Sequence, residues 1–175
     1  CLAVLGMRLV KKTVNFDNHH VYHFYYGDER GTPGTIWTTF PYKGWTVPVG
    51  DKGAGQVVAT TFSVPAGSLR FWQDRLAAHG VEATAGRPRF DDEVLAFRDP
   101  SGLMFEVVAS RDDDRRSWQS TVAGDSAIRG LHSVTLLVHS PQATVDLMTR
   151  VLSFATVDEM EGRIRVAVNG ARPGH

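Results

Sequence analysis

The feature that most restricts this chain is an internal repeat. Two stretches share one order of elements: a β-rich segment, a short turn, an amphipathic helix, then further strands. In the clearer copy, residues 56–64 are rich in β-branched side chains and residues 65–68 turn, with Ser68 placed as an N-cap. Leu69, Phe71, Trp72, Leu76 and Ala77 then recur at helical spacing and stop at Gly80. Residues 81–85 read as a short strand, and residues 92–98 and 103–108 flank the turn signal Asp99-Pro100-Ser101-Gly102. In the other copy, residues 131–138 form the opening strand, and Ser140-Pro141 starts a helix carrying Val145, Leu147, Met148, Val151 and Leu152. Strands at residues 154–157 and 163–168 follow, on either side of Glu161-Gly162. A sheet with helices on one face must bury that face against another layer, so such units are stable when they share a core.

The ends of the chain extend the pattern. Val151-Leu152-Ser153-Phe154 closes a helix and enters a strand, and Val4-Leu5-Gly6-Met7 does the same, with Gly6 read as a helix C-terminal glycine. Strands at residues 7–16, 23–26 and 35–40 then complete a first unit that lacks its opening strand and most of its helix. The expected architecture is therefore α+β, built of repeated βαβββ modules and incomplete at both ends. Residues 1–42 are the latter part of a first module, 43–55 a linker, 56–110 a complete second module, 111–129 a second linker, and 130–175 the opening part of a third. The charged run from Arg111 to Arg116 is expected to be exposed, with Trp118 as its one anchor. The alternative is a complete α+β domain whose terminal units are short.

Composition narrows the function classes. The 19 basic and 19 acidic residues cancel, so no net field draws in nucleic acid or an anionic membrane surface. No apolar run approaches the roughly 18 residues of a membrane span. The lone Cys1 forms no internal disulfide and is a poor nucleophile candidate, and a cytoplasmic setting is the expectation. No glycine-rich nucleotide loop and no Gly-x-Ser-x-Gly elbow is present.

Several stretches carry a family likeness: residues 4–17 (VLGMRLVKKTVNFD), 22–28 (YHFYYGD), 34–41 (GTIWTTFP), 97–106 (FRDPSGLMFE) and 130–136 (GLHSVTL). In this order they resemble the vicinal oxygen chelate superfamily of glyoxalases, bleomycin resistance proteins and extradiol dioxygenases, and within it the hydroquinone-type ring-cleaving branch. The Asp-Pro-x-Gly turn is a superfamily feature, whereas the first stretch is specific to the branch. The resemblance implies a longer four-module protein in which outer modules pair around a metal and inner modules pair with each other. It implies iron(II) or manganese(II) in the full-length protein, with a small aromatic diol and O2 as partners. The family's metal ligands lie in regions with no counterpart here, so no metal ligand and no catalytic residue is assigned to this chain, and no metal is expected in it. Self-association stays open. Glyoxalase-type isomerisation and non-catalytic sequestration of an aromatic or drug-like ligand stand as the other readings.

Two groups of residues merit attention. Glu106 and His132 occupy strand positions equivalent to ligand positions in catalytic modules, but a facial triad needs a third donor, and residues 59–61 offer no imidazole. They are read as a vestigial site, with an intact second metal site and a small polar pocket as the alternatives. Strand alternation places His23 and Tyr25 on one face of their strand, and Trp37 and Thr39 together on one face of theirs. With Asn15 these form a candidate cavity wall, where histidine or tyrosine would orient a diol or move a proton. Against that stands a strand histidine turned to solvent or bonded to a carbonyl. His19 and His20 are expected to be exposed, and Lys11 and Lys12 to point to opposite faces. Expressed alone, this chain is expected to hold no stoichiometric iron and to show no O2 uptake with hydroquinone. Metal analysis that finds a tightly bound ion in every purified chain would overturn that expectation.

Overall fold

The computed structural model describes residues 2–42, 50–118 and 121–168. In chain order the elements are α1 (Leu2–Leu5), β1 (Arg8–Val14), β2 (Tyr22–Gly27), β3 (Trp37–Thr39), β4 (Gln56–Pro65), α2 (Leu69–Ala78) and β5 (Ala83–Ala85). They continue with β6 (Val94–Arg98), β7 (Met104–Ser110), β8 (Gly130–Leu137), α3 (Pro141–Arg150), β9 (Phe154–Met160) and β10 (Arg163–Val168). Cys1, most of the glycine-rich stretch after Tyr42 and the last seven positions of the chain lie outside the described residues.

The centre is a mixed five-stranded sheet in the order β5-β6-β7-β4-β8. Within it β4 runs parallel to β7, with Thr61 beside Glu106, and antiparallel to β8, with Thr61 beside Ser133. The parallel pair needs a crossover, and α2 provides it. One sheet face carries Phe62, Val64, Leu95, Phe97, Phe105 and Val107, and α2 lays Trp72 and Leu76 into the same core. Trp72 and Leu76 are four residues apart, hence on one helix face, and both are fully buried. The indole N–H of Trp72 donates to the Ser126 carbonyl at 2.8 Å, so its burial leaves no polar atom stranded. Truncating a side chain of this kind costs about 3–5 kcal/mol.

The helix starts differ from expectation, since neither Ser68 nor Ser140 makes a side-chain cap bond. Ser68 has helical backbone angles (φ −88°, ψ −2°), which turns its hydroxyl back to donate to the Pro65 carbonyl at 2.6 Å instead of capping α2. The helix ending at Leu5 does close on a left-handed glycine: Gly6 has φ +67°, and a Cβ there would lie 2.8 Å from Val122. Arg75 of α2 donates to the free carbonyls of Val4 and Ala3 at 2.7 and 2.5 Å, which caps α1 and docks it on α2.

The β1-β2-β3 sheet joins the central core edge-on. Tyr26 and Trp37 share one face, and the Trp37 ring stands perpendicular to Phe105, with 5.3 Å between centroids, and to Phe62, with 6.5 Å. The β9-β10 hairpin forms its own two-stranded sheet, and α3 buries none of its residues.

The segment after β7 corrects an expectation. The charged run from Arg111 to Arg116 is not simply an exposed linker, because Asp113 is 1% exposed and its carboxylate is gripped at two points by Arg115. Arg115 also donates to the Gly34 carbonyl at 3.2 Å and the Leu131 carbonyl at 3.0 Å, while the Leu131 N–H donates to Gly34 at 2.8 Å. A pair of residues two apart thus ties the loop before β3 to the start of β8. Burial alone would raise the Asp113 pKa, but the hydrogen bonds and charge of Arg115, with the nearby Ser63 hydroxyl, outweigh it and hold the group down at about 2. A lowered folded-state pKa stabilises above the unfolded value of about 3.9, and the gain is lost as pH falls towards the folded value. Resistance to urea unfolding should therefore fall from about pH 4 to about pH 2, with a smaller drop in Asp113→Asn. Arg115→Met strands the carboxylate and is expected to cost about 3–5 kcal/mol at neutral pH, read as a lower urea midpoint.

Candidate functional site

Two surfaces gather the chemistry-bearing residues, and the strand registers decide which residues share each one. In the first sheet Thr13 pairs with His23, Lys11 with Tyr25, and Tyr25 in turn with Thr38. Directly opposed residues project to the same side. Trp37 opposes Tyr26 and Thr39 opposes Phe24, so both lie on the other side, towards the core. The five wall candidates are thus divided: His23 and Tyr25 on one face, Trp37 and Thr39 on the opposite one. Asn15 continues the first group, because its N–H donates to the Val21 carbonyl at 2.6 Å and extends the ladder.

On the His23 side the aromatic rings are closely arranged. The imidazole stacks on Tyr25 at a centroid distance of 4.0 Å and meets the tilted Phe40 ring at 4.1 Å. Its Nδ1 lies 2.9 Å from the Tyr25 hydroxyl, while its buried Nε2 has no hydrogen-bond partner among the described residues. Lys11 brings its ammonium to 5.5 Å from the centre of the Tyr25 ring, within cation–π range. Asn15 is buried, accepts the Asp17 N–H at 3.1 Å and donates to the Tyr42 hydroxyl at 3.4 Å. Lys12, on the other face, sits 3.8 Å over Tyr22. His19 and His20 are exposed.

The second surface is the face of the central sheet that turns away from α2. Glu106 is buried there, accepts the Thr61 hydroxyl at 2.8 Å on one oxygen and forms an ion pair with Arg89 through the other. Arg89 is delivered by a two-residue turn in which Phe90 (φ 51°) and Asp91 (φ 66°) both take left-handed backbone. For side chains of that kind this costs on the order of 1–3 kcal/mol each. The same turn presents Asp92 to Arg165 of β10, whose guanidinium also lies 4.3 Å over the Phe90 ring. One strained turn therefore serves an ion pair within its own sheet and another to the β9-β10 hairpin.

His132 lies on the same face, as the extra residue of a bulge where β8 passes the Thr61-Phe62 step of β4. It is buried, and its Nδ1 is 3.0 Å from the Ser133 hydroxyl. Burial is the largest cause holding its pKa below the ordinary histidine value; Asp92 and Asp113 act against that, and Arg165 and Arg115 add to it. The strands of Glu106 and His132 are separated by β4, a backbone distance of about 10 Å at ordinary strand spacing. Among the described residues no group of three or more His, Cys, Asp or Glu side chains is placed to hold a metal ion. With both Glu106 oxygens engaged, the donors present do not fit a metal, and no metal-dependent step is derived from them.

Arg89, Asp92 and Arg165 were not legible as site residues. The Arg89-Phe90-Asp91-Asp92 stretch lacks the glycine or asparagine that marks such a turn. Arg89→Met and Glu106→Gln should each lower stability, Arg89→Met by about 3–5 kcal/mol because it strands a buried carboxylate. The double variant should lose less than the sum of the two, as measured in a urea double-mutant cycle.

No family model matches the chain. It is 38% identical over 172 residues to a Bacillus subtilis protein named "Putative ring-cleaving dioxygenase MhqE", a match that takes in 98% of this chain and 56% of that protein. It is 42% identical over 140 residues to the chlorohydroquinone/hydroquinone 1,2-dioxygenase of Sphingobium indicum, covering 77% of this chain and 43% of that enzyme. The chain spans about half the length of the curated relatives it matches. A crystal structure described as a putative dioxygenase from Bacillus subtilis superposes with a TM-score of 0.89 at 38% identity, covering 99% of this chain and 55% of that one.

Proposed function

Because the chain belongs to the vicinal oxygen chelate superfamily, with ring-cleaving dioxygenases of the hydroquinone type among its relatives, we propose that the whole protein is a ring-cleaving dioxygenase. It would act with O2 on a hydroquinone- or catechol-like aromatic. The observation that carries this reading is the 42% identity to a hydroquinone-cleaving enzyme across most of this chain. The His23, Tyr25 and Phe40 face supports it, since stacked rings beside a hydroxyl and an ammonium suit a flat, oxygen-bearing ligand. A bound iron(II) or manganese(II) would supply the activation of O2 that such chemistry requires. The described residues contribute to substrate binding and orientation, and a cytoplasmic location goes with this reading.

The test is O2 uptake by the whole protein, loaded with iron(II) or manganese(II), in the presence of hydroquinone or catechol. Ring-opened product carrying both atoms of isotopically heavy O2 is expected, with loss of turnover after chelation. Tight binding of the aromatic without O2 uptake would replace the proposal with a sequestering protein. Conversion of a thiol hemiacetal would replace it with an isomerase.

A further inference from the structure

The His23 ring is held more firmly than a strand histidine needs to be. Tyr25 stacks on it at 4.0 Å and 28°, and Phe40 lies tilted against it at 4.1 Å and 32°. Two rings at that distance crowd the imidazole and restrict its reorientation. Among the described residues the Tyr25 hydroxyl, 2.9 Å from Nδ1, is the only polar partner of the ring, and the buried Nε2 meets none. A group locked in this way has one polar task, which is to aim the Tyr25 hydroxyl. Lys11, directly opposite Tyr25 in the register, places positive charge against the same ring. Tyr25 itself is only half-buried, on the sheet face turned away from the Trp37 side.

Resting on the ring-cleaving reading, we propose that the Tyr25 hydroxyl contacts a ring hydroxyl of the aromatic diol and that His23 is a positioning residue acting through Tyr25. The Tyr25 O–H donates to His23 Nδ1, and the phenol oxygen then presents a lone pair to accept the substrate O–H. The Lys11 ammonium favours electron density on these oxygens. Substrates of this site are therefore aromatics with a free hydroxyl, and ethers of the same ring shape are poor ligands.

Tyr25→Phe keeps the ring stack and removes only the hydroxyl, so it separates the contact from folding. In the whole protein it should lower kcat/KM for hydroquinone by about tenfold to a hundredfold, the scale of a lost hydrogen bond to a charged or developing-charge group. His23→Leu should bring a comparable loss, and adding it to Tyr25→Phe should bring little more, because its effect passes through that hydroxyl. A purely structural histidine would give the same further loss in both backgrounds. Activity of Tyr25→Phe within about twofold of wild type, or an undiminished His23→Leu effect in the Tyr25→Phe background, would sink the proposal.

A binding arm keeps the outcome separate from that of the proposed function. Hydroquinone should shift the Tyr25 ring resonances of the wild-type protein, and its dimethyl ether should not. If the protein turns over no diol, the ring-cleaving reading fails while these shifts still support Tyr25 as a contact. If hydroquinone leaves the Tyr25 resonances unmoved, the inference about Tyr25 is wrong whatever the turnover.

Discussion

A carboxylate buried without a cation is among the costliest things a small fold can contain, and this one buries Asp113 almost completely. It does so because Arg115 meets both carboxylate oxygens and then has N–H groups left for the Gly34 and Leu131 carbonyls. Charge-assisted bonds of this kind are directional as well as strong. The loop before β3, the segment after β7 and the first residues of β8 are thereby fixed to one point. Gly130 shows how close the approach is: a Cβ there would lie 2.9 Å from the Gly34 carbonyl oxygen. The seating of β8 against β4, and with it the position of His132, follows from that junction.

The central sheet divides its labour between its faces. The side towards α2 is apolar and closely packed, with Phe62 and Phe97 each stacked on Phe105. The other side carries Thr61, Glu106 and His132 with their partners. Glu106 on that side is satisfied by guanidinium and hydroxyl groups, and the Phe90-Asp91 turn that brings Arg89 and Asp92 there does so at the expense of left-handed backbone in two non-glycine residues. Retaining strain of that sort implies that the ion pairs it positions offset its cost.

The β1-β2-β3 sheet is divided in the same way, and this is where function and fold meet. One face gives Tyr26 and Trp37 to the shared core, while the other holds the His23, Tyr25 and Phe40 stack beside Lys11. A rigid strand scaffold holds aromatic and hydroxyl groups with more precision than a loop does, which suits a site that must orient a flat ring. Alternation within each strand was readable in advance. The assignment of Trp37 and Thr39 to the core side was not, because it depends on the register between β2 and β3.

The chain's own sequence determined the elements whose causes are local. The repeat, the Trp72 and Leu76 face of α2, the left-handed Gly6 that ends α1, and the Asp99 turn with its two backbone N–H bonds all arise within a few residues. Only the tertiary structure decided the rest. Arg111 to Arg116 reads as solvated charge until Gly34 and Leu131, far away along the chain, supply the carbonyls that make burial of Asp113 tolerable. Phe90-Asp91 reads as unremarkable until Glu106 and Arg165 give the turn its ion pairs. The bulge at His132 exists only where β8 meets β4. Propensity and pattern act through neighbouring residues, whereas register, burial and ion pairing are set by groups that folding alone brings together.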